Sequence, residues 1–374
     1  KINCMAKFFY SCIALIFFNP FFVTAQNRPQ TPKPPYHYYN DSVVYENTDR
    51  TVQLGATFSY PKTGGPFTTI LLITGSGQQD RDETIFHHKP FAVIADYLVK
   101  KGFAVLRVDD RGKGQSKGPL KNVTSVDFAN DVITSIQFLL SRKEVDKNSI
   151  GLMGHSEGGF IAPIVYSKLP AIAFIVSLAG TGVSGAEILL KQQTDPVKGK
   201  VSDASFHAYY ELTKKTLNTI HNLHAQPDSI ILDTIKNLYK NWKAGKPDSV
   251  LAPIRADKVP PELYALSIKP ELEPWLKYFI ATDPAVFWSQ VKCPVLALNG
   301  EKDIQVYADE NLNAIAAALK KAGNKNFKTK KLKGLNHLFQ HCKTCTVQEY
   351  GELEETFSPK ALKIIGRWLK KNAR

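Results

Sequence analysis

Three residues, in the order serine, aspartate, histidine along the chain, have the types and spacing needed for acyl transfer: Ser156, Asp303 and His337. A serine hydroxyl is a weak nucleophile until a base takes its proton, and that base needs a carboxylate to hold it in the right tautomer. Ser156 sits at the centre of Gly154-His155-Ser156-Glu157-Gly158, after the apolar positions Ile150, Leu152 and Met153 and before Phe160, Ile161, Ile164 and Val165. The pattern reads as a strand, a sharp turn and a helix, with the hydroxyl at the apex and glycines leaving room for a strained backbone. A chain of 374 residues contains this motif by chance about one time in ten, so its partners decide its meaning.

Both partners follow apolar runs. Asp303 comes after Pro294 to Leu298 through Asn299-Gly300-Glu301-Lys302, and His337 after Phe327 to Leu332 through Lys333-Gly334-Leu335-Asn336. In a parallel sheet the carboxyl ends of all strands share one edge, so residues distant in sequence can meet there. Glu301 is a rival acid and His341 a rival base, each farther from the ideal loop position. An oxyanion needs preorganised donors, which the N–H of Glu157 and those of Ser76 and Gly77, in the loop Gly75-Ser76-Gly77-Gln78, can supply. That loop has too few spaced glycines for a dinucleotide fingerprint and no GK[ST] for a phosphate loop, which argues against nucleotide binding.

The elements that must position these groups follow from the apolar pattern. Val43 to Tyr45 and Thr51 to Tyr60 read as a hairpin. Thr69 to Thr74, Phe103 to Val108, Ile150 to Met153 and Ala173 to Leu178 are short apolar runs separated by helix-length segments, which implies an α/β fold with a mostly parallel sheet covered on both faces. Thr124 and Asp127 can cap a helix whose buried face carries Val132, Ile136, Leu139 and Leu140. Ser358 and Pro359 begin another, with Leu362, Ile365 and Leu369 as its stripe. Pro163, inside the helix after Ser156, removes a hydrogen bond and predicts a kink or an early end. From 183 to 289 the alternation stops, and a polar, helical stretch with Tyr209, Tyr210, Leu212, Leu217, Ile220 and Leu223 as apolar positions reads as an inserted cap. The expected division is therefore a proline-rich lead-in over 26–42, a core over 43–182 and 290–374, and the cap between.

The N-terminus is read separately. Lys7 precedes an apolar run from Phe8 to Phe22, and Val23-Thr24-Ala25 has the small residues of a cleavage site, so 1–25 is expected to be a secretory signal that starts at Met5, with Lys1 to Cys4 upstream of it. An uncleaved anchor is the alternative, although Asn19-Pro20 interrupts a run barely long enough to span. After cleavage no stable membrane insertion is expected, and the location is periplasmic or secreted. The net charge of +14 is spread along the chain without interleaved aromatics, which argues for a solvated basic surface and against nucleic acid. Cys342 and Cys345 can close a local disulfide in an oxidising compartment, leaving Cys293 as a buried thiol. The alternative, zinc on His337, His341, Cys342 and Cys345, would claim the histidine that the serine needs.

GHSEG, the turn Asp109-Asp110-Arg111-Gly112-Lys113-Gly114-Gln115-Ser116, the NGEKD ending at Asp303 and the GLNH ending at His337 together resemble the α/β-hydrolase superfamily. Gly75 to Glu83 (GSGQQDRDE) and the ending NHLFQ are most similar to secreted bacterial carboxylesterases related to the dienelactone-hydrolase and serine-aminopeptidase-like branches. The resemblance runs from about Val43 to the C-terminus and is weakest in the cap. It implies Ser156 as nucleophile, Asp303 as acid and His337 as base, with the Asp109 to Ser116 turn structural. A small-molecule or polysaccharide-linked ester is the expected substrate, with no metal or cofactor. An aminopeptidase, using Glu187, Glu211 or Asp203 to hold a free amine, a carbohydrate-acyl esterase, and a non-catalytic binding protein are the other readings.

Overall fold

The fold is taken from a computed structural model of the chain, which describes residues 27–373. The expected signal segment, 1–25, lies outside the described residues. Residues 27–183 and 284–373 make one compact unit and residues 184–283 another.

The larger unit is built on eight strands: β1 Tyr38–Glu46, β2 Gln53–Pro61, β3 Phe67–Ile73, β4 Ala104–Val108, β5 Val145–His155, β6 Ile175–Leu178, β7 Val295–Gly300 and β8 Phe327–Leu332. They form one sheet in the order β1-β2-β4-β3-β5-β6-β7-β8. The β1–β2 and β2–β4 pairs are antiparallel, and β3 through β8 run parallel to one another. The mostly parallel sheet expected from the alternating pattern is thus present. β1 begins at Tyr38, so the lead-in is shorter than 26–42; as an edge strand with one neighbour, β1 carries polar residues such as Asn40 and Asp41 that hid it in the sequence.

The helices are α1 Pro90–Val99, α2 Ser125–Ser141 and α3 Glu157–Lys168, then α4 Gly185–Thr194, α5 Asp203–Leu223, α6 Asp228–Ala244, α7 Asp248–Leu251, α8 Pro261–Ser267 and α9 Pro274–Ala281 in the inserted unit, then α10 Ala285–Trp288, α11 Ala308–Lys321 and α12 Pro359–Asn372. One face of the sheet packs Ile70, Leu72, Val105, Met153, Val176, Leu178, Leu296 and Leu298 against Phe91, Ile94 and Leu98 of α1 and Leu362, Ile365 and Leu369 of α12. The opposite face carries the alternate residues, among them Leu71, Leu106 and Leu152, all buried, as the two-residue period of a strand requires. Helices α2, α3 and α11 pack against strands β3, β5, β6, β7 and β8.

Local expectations mostly hold. Thr124 and Asp127 form the reciprocal cap of α2, and the Ser358 hydroxyl caps α12 by accepting from the Ala361 N–H. Leu140, expected on the buried face of α2, is exposed; Leu139 already fills that face. Pro163 does not end α3, which runs five residues beyond it to Lys168. Buried Ala162, Ile164 and Val165 hold the helix where its own hydrogen bonding is weakened.

The inserted unit has its own core, in which Leu212, Leu217 and Ile220 of α5 meet Ile231, Ile235, Tyr239 and Trp242 of α6 and Leu276 and Ile280 of α9. The helical character expected for 183–289 is present, with two corrections. Tyr210 is exposed. The segment 284–289 belongs to the sheet unit, where Trp288 is fully buried and donates its indole N–H to the Thr181 carbonyl.

One buried histidine ties together the segments that frame the sheet edge. His88 Nε2 donates to the Tyr350 carbonyl at 2.9 Å, and its Nδ1 lies 2.8 Å from the Thr356 hydroxyl. Burial, and then the charge of Arg28, push its pKa down to about 4. Between that value and the ordinary histidine range, the unfolded chain binds a proton that the folded protein does not, so stability is lost as pH falls through this window. His88→Gln, which keeps a donor but cannot titrate, should melt with a shallower decline between pH 7 and pH 4 in scanning calorimetry. An equally steep decline would remove His88 from the account.

Candidate active site

The turn after β5 is strained at the serine. Ser156 has φ 52° and ψ −116°, a left-handed conformation that costs a non-glycine residue on the order of 1–3 kcal/mol. Its amide donates to the Leu178 carbonyl of the neighbouring strand at 2.8 Å, and its carbonyl accepts from Gly159 in the first turn of α3. The flanking glycines are required by contact. A Cβ on Gly154 would lie 2.0 Å from the Gly158 carbonyl oxygen, and one on Gly158 would lie 2.2 Å from that of Ile73. The hydroxyl-bearing residue is half-buried and Glu157, which begins α3, is buried.

Asp303 and His337 meet after β7 and β8. Asp303 Oδ2 lies 2.7 Å from His337 Nδ1, while Asp303 Oδ1 accepts the amides of Gln305 and Val306 at 2.8 and 2.9 Å. Both side chains are at most 5% exposed, so the pair is shielded from water that would compete for it. The carboxylate fixes Nδ1 as the protonated nitrogen and leaves Nε2 as the acceptor. The loop carrying His337 is shaped by buried Asn336, whose side-chain oxygen accepts the amides of Leu338 and Gln340. The rivals are engaged elsewhere: Glu301 accepts the Gly334 amide, and His341 pairs with Glu355 at 2.7 Å.

The loop Gly75 to Gln78 is held by carboxylates. Glu83 accepts the Gly75 amide at 2.7 Å. Asp110 spans the loop, taking the Thr74 hydroxyl at 2.6 Å and the Gln79 amide at 2.8 Å. Asp109 accepts from Arg81 through its amide and guanidinium and from the Gln115 amide. These bonds use the amides on either side and leave the intervening Ser76 and Gly77, both exposed, at the open side of the loop. The loop lies against Ser156, since a Cβ on Gly75 would be 3.2 Å from that of the serine.

The buried charges are balanced. Burial pushes Asp110 up to about 8, with the negative charges of Glu157 and Glu83 adding to the shift, so it is a carboxylic acid at neutral pH. Burial would raise Asp109 too, but the bonds from Arg81 and Gln115 hold it below its ordinary value. Arg111 makes a two-pronged bond to Asp131, and a Cβ on Gly114 would collide with Asp109, so the Asp109 to Ser116 turn is structural, as the resemblance implies.

His155 and Glu83, which the motif reading left without roles, form a further pair. Glu83 Oε1 lies 3.0 Å from His155 Nδ1, and His155 Nε2 lies 3.0 Å from the carbonyl oxygen of His337. The His155 and His337 rings are 4.8 Å apart at their centroids. The residue next to the serine thus touches the backbone of the candidate base. The only sequence signal was two charged or titratable residues inside motifs already singled out.

Cys342 and Cys345 form a disulfide with Cα atoms 5.0 Å apart, and Cys293 is a half-buried free thiol. The four residues weighed as a zinc site are therefore divided among a disulfide, an Asp303 partner and a Glu355 partner. In the inserted unit Glu211 pairs with Lys215 and Lys246, while Asp203 and Glu187 lie in the first turns of α5 and α4.

A parallel sheet flanked by helices, with a strained serine turn after its fifth strand, defines the α/β-hydrolase fold. Residues 49–343 match the X-Pro dipeptidyl-peptidase (S15) family, and the chain belongs to that family of hydrolytic enzymes. It is 33% identical over 134 residues to esterase EstD of Thermotoga maritima, an alignment that covers 36% of this chain and about a third (32%) of that relative's length. Among solved structures, an esterase of Pyrococcus furiosus superposes with a TM-score of 0.53 at 16% identity, over 95% of this chain and all (100%) of that one. The α/β hydrolase GrgF of a Penicillium species gives 0.53 at 14% identity over 90% and 99%. At those identities the likeness is one of fold.

Two outcomes follow from this geometry. Gly158→Ala should lower the melting temperature and abolish modification of Ser156 by a fluorophosphonate probe, because relieving a clash with backbone costs about 1–3 kcal/mol and shifts the turn. Wild-type labelling in that variant would mean the turn tolerates a side chain. Asp110 holds a proton that the unfolded chain gives up near its ordinary carboxyl range, so its burial lowers stability progressively as pH rises from about 4 to about 8. Asp110→Asn should flatten the stability profile across that window, as read by chemical denaturation, and an unchanged slope would show that Asp110 is ionised.

Proposed function

We propose that the protein is a serine hydrolase that cleaves carboxylic esters through an acyl-enzyme on Ser156. The observation that carries this reading is the buried 2.7 Å bond between Asp303 and His337, on the unit that holds Ser156 in its strained turn. His337 Nε2 accepts the Ser156 proton as the oxygen attacks the ester carbonyl, and returns it to the leaving alkoxide, which departs as the alcohol. Water, deprotonated by the same nitrogen, then attacks the acyl group and releases the acid and the free serine. The developing oxyanion is taken by the Glu157 amide at the positive end of α3 and by the amides of Ser76 and Gly77. Asp303 keeps the imidazole oriented and balances the imidazolium that forms.

The stretch of esterase similarity supports an ester over a peptide bond, although the family takes its description from a dipeptidyl-peptidase. None of the acids considered for anchoring a free amine stands in a buried site built for one; Glu211 is spent on two lysines. A periplasmic or secreted location, after removal of 1–25, and a small-molecule or polysaccharide-linked ester as substrate remain part of the proposal.

Ser156→Ala should reduce hydrolysis of an aryl ester on the order of a millionfold, and Asp303→Asn on the order of ten thousandfold. A small loss at Asp303 with a large one at Glu301 would move the acid. Faster turnover of X-Pro anilides than of aryl esters would make the enzyme a peptidase.

A further inference from the structure

We propose that Glu83 and His155 are positioning residues for this chemistry, holding the oxyanion loop and the base loop in register with Ser156, and that they do so only while His155 is an imidazolium. The proposal rests on the triad reading above.

The argument is one of donors and acceptors. His155 Nε2 faces the His337 carbonyl oxygen, which can only accept, so Nε2 carries a proton. His155 Nδ1 faces Glu83 Oε1, the same oxygen that accepts the Gly75 amide. A carboxylate oxygen can serve two donors, and charge-assisted bonds are the strong ones. A neutral histidine would present a lone pair to that oxygen, or require it to be a hydroxyl already receiving another N–H. The arrangement is satisfied with protons on both ring nitrogens. His155 and Glu83 are each under 10% exposed (8% and 6%), so neither bond can be exchanged cheaply for water. Burial opposes the charge on His155, but the Glu83 carboxylate raises its pKa above the ordinary value.

The groups facing His155 come from three loops. Glu83 lies on the segment after β3, Asp303 and His337 follow β7 and β8, and the uncharged Phe339 ring stands edge-on at 6.5 Å. Leu178 of β6, its register partner, adds no charge. The pair therefore links three parts of the site through one proton: the Gly75 amide of the oxyanion loop, the residue preceding the nucleophile, and the backbone of the base. Two histidines thus lie side by side with different roles. His155 is charged and static, and His337 must be neutral to act.

Glu83→Gln tests this, because glutamine has nearly the shape of glutamate but cannot support the charge. Its amide oxygen can accept from Gly75, but neutral His155 then meets it lone pair to lone pair, and the geometry is recovered only on protonation. With an aryl ester, kcat at pH 8 should fall on the order of a hundredfold, the scale of a small misplacement of reacting groups, while KM changes little. The pH profile should change from a single acid limb with a plateau to a bell that declines toward alkaline pH. An unchanged profile shape would overturn the proposal. Should Glu83→Gln fail to fold, histidine ¹⁵N NMR of the wild-type protein gives the answer. One ring, assigned by its loss in His155→Gln, should be doubly protonated at pH 8, and the absence of such a ring would sink the idea. Failure of the triad reading would appear separately, as absent fluorophosphonate labelling of Ser156 with this imidazolium signal intact.

Discussion

The backbone strain at Ser156 is the constraint on which the rest of the site depends. A left-handed serine persists only where its surroundings over-determine it. Here the Leu178 carbonyl holds its amide, α3 packs directly behind it, and hydrogens at Gly154 and Gly158 let the main chain of β3 and of α3 approach within distances that any side chain would forbid. The turn is a consequence of strand and helix packing, and the packed sheet faces and their helices supply the energy that keeps it strained.

Acidic side chains at the sheet edge then translate that fixed point into a site. Glu83, Asp109, Asp110 and Asp303 each accept backbone amides from short loops that have no regular structure to hold them. A carboxylate can serve several donors at once, which makes it the efficient way to fix an irregular turn at a sheet edge. Their crowding has an electrostatic cost, met by Arg81 at Asp109, by a proton on Asp110, and by His155 at Glu83. Positive charge and retained protons are thus distributed so that the loops are pinned without accumulating negative charge around Ser156.

Much of this was legible in the sequence, and for definite reasons. Strands β3, β4, β6 and β7, and β5 from Ile150 onward, are largely buried on both faces, and so appear as short apolar runs. β1 was seen only in part because an edge strand has one buried face at most, and its polar start at Tyr39 to Asp41 looks like a loop. Leu140 is exposed because helical periodicity gives a face to within a residue or so, while packing against specific neighbours decides which residue fills it. Pro163 removes a hydrogen bond inside α3, and tertiary contacts on either side carry the helix through it.

The serine, aspartate and histidine and the strand ends they follow are readable from the chain alone, because chain order and strand-loop spacing are local properties. So is the pairing of Cys342 with Cys345, since three residues of separation leave little choice. That Glu83 faces His155 across 72 residues, and that His155 in turn reaches the His337 carbonyl across 182, emerges when the sheet is assembled. No local pattern encodes those choices. They arise because parallel strands bring their carboxyl ends to one edge, where a charged side chain is stable only if the loops arriving there provide its partner.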